Sequence, residues 1–544
     1  MLGMMMDQPL LISSLIEHAA RFHGDTEIVS READRSVFRY DYAAAADRAK
    51  QIGQAIARLG AEPGDRIGTL AWNSHRHFEL YYGISGTGRV LHTINPRLFP
   101  DQLRYIINHA ADRILFIEPS FVGLVEKLAP LLTTVRHYVI MAPKALMPDT
   151  SLPNALCYEE LIDAESAEFE WPRFDEQSAS SLCYTSGTTG NPKGALYTHR
   201  STLLHAFAAC AADMLGIGAA DSVLPVVPMF HVNAWGIPYS CPLAGAKLVL
   251  PGPYLDGESL CTLFEQERVT FSLGVPTIWL GALKYAEETG KGFSSVKRVV
   301  VGGSAAPPSM IEAFDKKHGI RALHAWGMTE MSPLGTAATL KSKHATAAPE
   351  EITRVLCSQG RPSFMVDLKI TGEDGQRLPH DGVAIGNLYV RGPWVVSGYY
   401  NDEAASAEAF DAEGWFKTGD VCAIDPDGYV RITDRSKDVI KSGGEWISSI
   451  DLENAAVGHP DVAEAAVIGL PHPRWDERPL LILVPKPGRT IDKAAMMSFL
   501  ADRVAKWWLP DDIALVDQLP HTATGKLLKT QLRQDFADYK LPTA

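Results

Sequence analysis

The chain has 544 residues, of which 46% are hydrophobic and 21% charged, with 51 lysines and arginines against 65 aspartates and glutamates and a formal charge of −14. That composition suits a globular protein with sizeable cores, several domains or one large one with a satellite, and its acidity argues against nucleic-acid binding. Seven scattered cysteines (157, 183, 210, 241, 261, 357 and 422) form no CxxC pair, and no run of about 18 apolar residues occurs, so zinc site, disulfide framework and membrane span are all disfavoured.

At the N-terminus, MLGMMMDQPLLISSLIEHAARF lacks a cationic start, and Glu17 and His18 interrupt its apolar run. Leu11, Ile12, Leu15 and Ile16 instead mark one face of an amphipathic helix, so the segment reads as structure and not as a leader, and a reducing cytoplasm is the expected setting. In DYAAAADRAKQIGQAIARLG, Ile52, Ala55, Ile56 and Leu59 share a helical stripe that Gly60 should stop. RIGTLAW then reads as a buried strand, LRYIINHA as a helix and RILFIE as a strand; SVLPVVP, AKLVL, VTFSLGVP and KRVVVGG are further short apolar runs. This is the rhythm of mostly parallel sheets covered by helices. The texture changes near 415–445, which is dense in glycine and charge, and beyond it VAEAAVIGLP and PLLILVP read as strands before a helix near 492–508. The expected fold is α/β: a large N-terminal domain, 1–434, and a small α+β C-terminal domain, 435–544.

The most unusual stretch is YTSGTTGNPKG at 184–194, with three glycines, four serine or threonine hydroxyls and a lysine. Glycine lets several backbone N–H groups turn toward one anion, hydroxyls add donors, and lysine adds charge, so the loop should grasp phosphate. It is not the GxxxxGK[ST] loop: Gly187 and Gly190 are too close, Lys193 precedes Gly194, and Pro192 discourages a helix there.

This loop resembles the phosphate loop of the adenylate-forming superfamily, which includes acyl-CoA synthetases, luciferase-like enzymes and peptide-synthetase adenylation domains. HAWGMTE (324–330), GWFKTGD (414–420), DRSKDVIKSGGEWIS (434–448) and TATGK (522–526) follow in the superfamily's order, so the resemblance spans nearly the whole chain. It implies a two-step reaction in which carboxylate and ATP give acyl-AMP and pyrophosphate, and the acyl group then passes to a thiol, usually coenzyme A. Two anions must meet in the first step, so the site needs positive charge and Mg²⁺.

By that resemblance, Thr185, Ser186, Gly187, Thr188, Thr189, Gly190 and Lys193 grip the β- and γ-phosphates, and Glu330 with Thr185 attends the metal. Asp420, assisted by Arg435, takes the ribose hydroxyls; Gly303, Ser304 and Ala305, together with His324, Ala325, Trp326, Gly327, Met328 and Thr329, form the adenine pocket, with Trp326 available to stack on the base; Ile432, Lys441 and Trp446 approach the nucleotide. Lys526 is the adenylation lysine, neutralising the α-phosphate and the attacking carboxylate. Lys437 falls at the hinge about which the small domain rotates between steps, after which Gly443, Gly444 and Glu445 face the pantetheine arm of CoA.

In PMFHVNAWG (228–236), His231 matches a gate beside the carboxylate and counts with Lys526 and Glu330 as catalytic; Trp235, Gly302, Gly303, Trp326 and Pro333 suggest a short apolar acyl pocket. The segments LAWNSHRHFELYYGISGTGRVLHTINPRLFPDQL and HPRWDERP resemble the fatty-acid and 3-methylmercaptopropionate CoA ligases, the latter acting in bacterial dimethylsulfoniopropionate breakdown. The implied leading acid is 3-methylmercaptopropionate, with short- and medium-chain fatty acids as the alternative and a homodimer as the expected assembly. Two positions depart from the pattern: Asn387 stands where relatives usually carry glutamate, and Asp476 where glycine is common. An adenylation domain serving a carrier protein is the nearest rival, but PMFHVNAWG offers no acidic residue for a substrate amine, and no carrier domain precedes the ending YKLPTA. A luciferase-like oxygenase and a catalytically inactive adenylate-binding regulator stand further off, the second opposed by Lys526, Glu330 and Asp420.

Overall fold

A computed structural model describes residues 1, 3–185, 191–443, 445–521 and 527–544, with Glu445 described by its backbone alone. Two large sheets dominate. One has seven strands, in the order Ala155–Cys157, His137–Ile140, Ile114–Ile117, Arg66–Leu70, Val90–Thr93, Ala179–Tyr184 and Gly194–Thr198, all parallel except the last. The other has nine strands, parallel from Arg321–Gly327 through Arg298–Val301, Phe271–Gly274, Ser222–Pro225 and Lys247–Leu250 to Glu27–Arg31, with antiparallel strands at both edges. Strands covered on both faces are continuous in their apolar character, which is why RVVV and KLVL carry no alternation.

The helices follow their apolar stripes. Leu11, Ile12, Leu15 and Ile16 are all buried at the start of Ser13–Phe22. The helix Tyr42–Arg58 buries Ala45, Ala49, Ile52, Ala55 and Ile56 and ends where expected. The Gly60 N–H bonds the Ala57 carbonyl, the Ala61 N–H bonds the Ile56 carbonyl, and Gly60 takes φ 80°. Those two bonds satisfy carbonyls that a helix end leaves open, and glycine alone adopts that φ freely.

Beyond residue 360 the chain departs from the parallel pattern. Asp367–Thr371, Ile385–Arg391, Phe416–Ile424 and Val430–Arg435 form a four-stranded antiparallel sheet that the βα rhythm did not foretell. A turn at 436–439 leads into Ile440–Ser442, the entry to a five-stranded sheet built on the long hairpin Val462–His472 and Asp476–Pro485. The helix expected near 492–508 is shorter. It spans Lys493–Ala501, and a separate short turn, Lys506–Trp508, stops where Pro510 holds Leu509 extended, at ψ 136°. Asp476 has φ 70°, which explains why glycine suits that position; aspartate tolerates this conformation better than most residues.

Candidate active site

The loop at 184–194 joins two antiparallel strands, with Tyr184 paired to Gly194, and opens no helix. Its base is closed twice: the Thr185 N–H donates to the Lys193 carbonyl at 2.9 Å, and the Lys193 N–H to the Thr185 hydroxyl at 3.2 Å. Ser186, Gly187, Thr188, Thr189 and Gly190 lie outside the described residues, as do Gly444 and Lys526.

A cavity of about 510 Å³ opens beside this base. Thr185, Lys193, His231, Trp235, Gly302, Gly303, Trp326 and Glu330 line it, together with Ala325, Gly327, Met328, Thr329 and Pro333. The chain beyond the four-stranded sheet contributes Lys437, Asp438 and Leu527, the residue after 526. Distant segments thus converge where strands of the large sheets end, the usual crevice of α/β folds.

Glu330 is 7% exposed and accepts a hydrogen bond at 2.8 Å from the Tyr399 hydroxyl. The Lys193 ammonium lies 4.9 Å from the centroid of the same phenol ring. Burial, reinforced by the Glu330 charge, pushes the Tyr399 phenol up, so it stays a donor. Tyr399 was missed in the sequence; SGYYND carries no signal that would single it out.

Asp420 is 3% exposed and uses both oxygens. One meets the Arg435 guanidinium at 2.9 Å, across a strand pair, and the other accepts from the Trp326 indole N–H at 2.9 Å. A carboxylate has about four lone-pair sites, so both oxygens keep acceptor capacity. The Trp326 indole is therefore fixed at its edge, and a Cβ on Gly335 would come within 2.7 Å of it.

His324 does not line this cavity but lines a second one. Nδ1 donates to the Cys357 carbonyl at 3.0 Å and Nε2 accepts from the Ala306 N–H at 3.3 Å, tying the 302–307 turn to the 357 segment. Burial lowers its pKa to about 4, so the ring is neutral at pH 7. Ala305 and Ile432 also line the second cavity, while Ser304 is exposed.

Asp420 reaches the main cavity only through its partners Trp326 and Arg435, which line it, and Lys441, Gly443 and Trp446, also expected near the nucleotide or CoA, are not among its lining residues either. The last three sit on the hairpin 440–447, where Lys441 pairs with Trp446, its ammonium meets Glu373 at 2.8 Å, and Gly443 packs on Trp475. At the turn, the Ser436 hydroxyl donates to Asn387 at 3.1 Å, so the departure from glutamate is in contact with the segment expected to hinge.

The segment behind His231 has an unusual backbone. Val232, Asn233, Ala234 and Trp235 have φ of 46°, 51°, 47° and 55°, a full left-handed turn without glycine. Each such residue costs about 1–2 kcal/mol, so the turn persists only because its surroundings hold it. Trp235 fits beneath Gly302, where a Cβ would lie 3.0 Å from the indole. Arg97, also missed in the sequence, lines the cavity with its guanidinium 5.8 Å from both the Trp72 and Phe230 rings.

The family described as AMP-binding enzyme matches residues 15–400, and the AMP-binding enzyme C-terminal domain matches 451–526. The chain is 55% identical over 538 residues to the 3-methylmercaptopropionyl-CoA ligase of Ruegeria lacuscaerulensis, covering 99% of each. It is 48% identical over 541 residues to the medium-chain-fatty-acid–CoA ligase of Ectopseudomonas oleovorans, covering 99% of this chain and 98% of that one. Its fold matches the crystal structure of the anthranilate CoA ligase AuaEII with anthranoyl-AMP at a TM-score of 0.86 and 25% identity, over 97% of this chain and 98% of that one. The chain belongs to the AMP-binding enzyme family and, within it, to the acid–CoA ligases.

Proposed function

We propose that the protein joins 3-methylmercaptopropionate, or a short fatty acid of similar length, to coenzyme A through an acyl-adenylate. The observation that carries this reading is one cavity lined both by apolar Trp235, Gly302 and Pro333 and by charged Lys193, Glu330 and Arg435. An acid can lay its chain against the first set while its carboxylate meets ATP near the second. A thioether occupies a pocket much as a methylene does, and the 55% identical relative is named for the methylthio acid. The 48% identical relative favours the second reading, a general medium-chain ligase.

In the first step, Lys193 and the hairpin loop hold the triphosphate, while Asp420 and Arg435 hold the ribose. Glu330 and the Thr185 hydroxyl, one carboxylate and one neutral oxygen, fit Mg²⁺, whose other positions would go to water and phosphate oxygens. When bound, the ion supplies charge neutralisation on the phosphates. His231 stands beside the carboxylate. Lys526 neutralises the charge that builds as carboxylate and α-phosphate meet; Leu527, its chain neighbour, lines the same cavity. In the second step the domain 435–544 rotates about Lys437, and Gly443, Gly444 and Glu445 come to face the CoA thiol. The reading extends to a cytoplasmic setting and to a homodimer, the second of which light scattering on the purified chain tests directly. Among the described residues, no helix is long and apolar enough to cross a membrane.

The deciding experiment is kcat/KM for thioester formation over unbranched C2–C12 acids and their methylthio analogues. We expect the maximum at 3-methylmercaptopropionate or at the C4–C6 acids. A maximum at C12 contradicts the short cavity.

A further inference from the structure

We infer that Asn233 is a positioning residue that sets the length of acid the enzyme accepts, by holding Trp235 across the cavity. The inference rests on reading the cavity as the acyl site. Its starting point is the left-handed turn 232–235. Nothing in the local sequence demands that conformation: valine, alanine and tryptophan all disfavour it, and only Gly236, at φ 81°, adopts it freely. Asparagine is the one residue of the four that visits this region readily, and it is also the one clamped from several sides.

The clamp is buried. Asn233 is 3% exposed, and its side-chain N–H donates to the Ser181 hydroxyl at 2.9 Å. Its carbonyl oxygen accepts from the Tyr81 hydroxyl at 3.3 Å, with the Thr93 hydroxyl and the Cys183 thiol each at 3.5 Å. These partners come from the helix His75–Ser85 and from two strands of the seven-stranded sheet, Val90–Thr93 and Ala179–Tyr184. The side chain thus pins the turn to the sheet that also carries the phosphate hairpin. Two residues on, Trp235 projects against Gly302 and Gly303, and Trp235 and both glycines line the cavity. Removing the clamp frees the turn to relax toward right-handed geometry and takes the indole out of the space a longer chain would fill.

The test compares kcat/KM for butyrate, hexanoate and octanoate in the wild type, Asn233→Ala, Trp235→Ala and the double variant. Asn233→Ala should raise the octanoate-to-butyrate ratio about tenfold, the scale of a few methylenes gained in a pocket. In the Trp235→Ala background it should add no further change. An equal fall for all three acids, or a ratio shift of full size on top of Trp235→Ala, overturns the inference. Should Asn233→Ala fail to fold, Tyr81→Phe and Ser181→Ala each remove one bond of the clamp and should shift the ratio the same way by less; an unchanged ratio in both is equally fatal. If Trp235→Ala itself leaves the ratio unchanged, the acyl-site reading fails first and the inference falls with it. If only the Asn233 variants leave it unchanged, the acyl-site reading survives alone.

Discussion

Tyr399 shows how a single hydroxyl can matter in a site crowded with charge. It donates to a buried carboxylate, Glu330, and presents its ring face to the Lys193 ammonium, so one side chain contacts two charged residues of opposite sign in the cavity. A hydrogen bond to a charged group contributes about 1.5–3 kcal/mol, and an unsatisfied buried carboxylate costs at least as much. Tyr399→Phe keeps the ring and removes only the donor. We expect a folded protein whose adenylation, followed as pyrophosphate release, falls about tenfold to a hundredfold in kcat/KM, with a raised Mg²⁺ requirement. Unchanged pyrophosphate release at limiting Mg²⁺ would separate Tyr399 from Glu330. The residue scale is also where the sequence was least legible. Motif residues such as Glu330 and Asp420 stand in quotable strings, whereas Tyr399, Arg97 and Asn233 act through partners 50 to 152 positions away or through ring contacts across the fold. Asn233 did carry one local sign, a polar side chain among the apolar residues of PMFHVNAWG. A buried amide needs partners, but the string does not say which.

At the scale of elements, the loop proposed to hold the triphosphate lies between two paired strands, and its described base is held by them. Thr185 and Lys193 face each other at the point where pairing ends, and the threonine hydroxyl accepts the lysine N–H. Thr185→Val preserves the β-branched shape that suits a strand end and leaves that N–H without its side-chain acceptor. The expected result is intact folding, adenylation reduced about tenfold or more, and a smaller loss when preformed acyl-adenylate is supplied with CoA. Equal losses in the two assays would show that the base of the loop serves the whole domain and not the triphosphate. Elements of this kind were readable in advance because apolar runs bounded by glycine or proline leave few alternatives: RVVV, KLVL and the helix ending at Gly60 fall where their patterns put them. The antiparallel sheet at 367–435 was not, since its strands alternate buried and exposed residues over short lengths between turns rich in glycine and charge. The 232–235 turn could not be foreseen from propensity at all, because tertiary contacts override it.

For the whole molecule, two equilibria can be argued from named groups. The first is folding against acid. Burial lowers His77, His199 and His324 to about 4 and His205 to about 3, from an ordinary value near 6.5, and raises Glu118 to about 7. A histidine with a lowered folded pKa contributes stability above its unfolded value, and this is lost as pH falls from about 6.5 toward 4; Glu118 acts in the opposite sense between about 7 and 4.5. Near pH 5.5 the unfolded chain therefore binds about two to three more protons than the folded one through these five groups, so unfolding midpoints should fall by several degrees between pH 7 and 5. A flat profile there would mean that the histidines are not held neutral. The second is the rotation proposed above for the C-terminal domain. Contacts between the chain after Arg435 and the rest include the Ser448 hydroxyl to the Thr433 carbonyl at 2.5 Å, the Ser449 N–H to Asp434 at 2.8 Å, Ser436 to Asn387, and the Lys441–Glu373 and Arg431–Asp451 ion pairs. The neutral bonds contribute about 1 kcal/mol each, the bond to the Asp434 carboxylate about 1.5–3 kcal/mol and the surface ion pairs less, so a rotation that breaks them lies within reach of the binding energy of CoA. If one lysine serves adenylation and a turn residue serves the rotation, the two half-reactions must separate genetically. Lys526→Ala should lower pyrophosphate release about a hundredfold or more while still converting preformed acyl-adenylate and CoA to thioester. Lys437→Pro, which fixes φ near −65° and restrains Ser436 before it, should do the reverse, sparing pyrophosphate release and blocking thioester formation. Loss of both half-reactions in either variant, with folding intact by circular dichroism, would mean that the C-terminal domain acts in one fixed position, and the two-position mechanism would have to be abandoned.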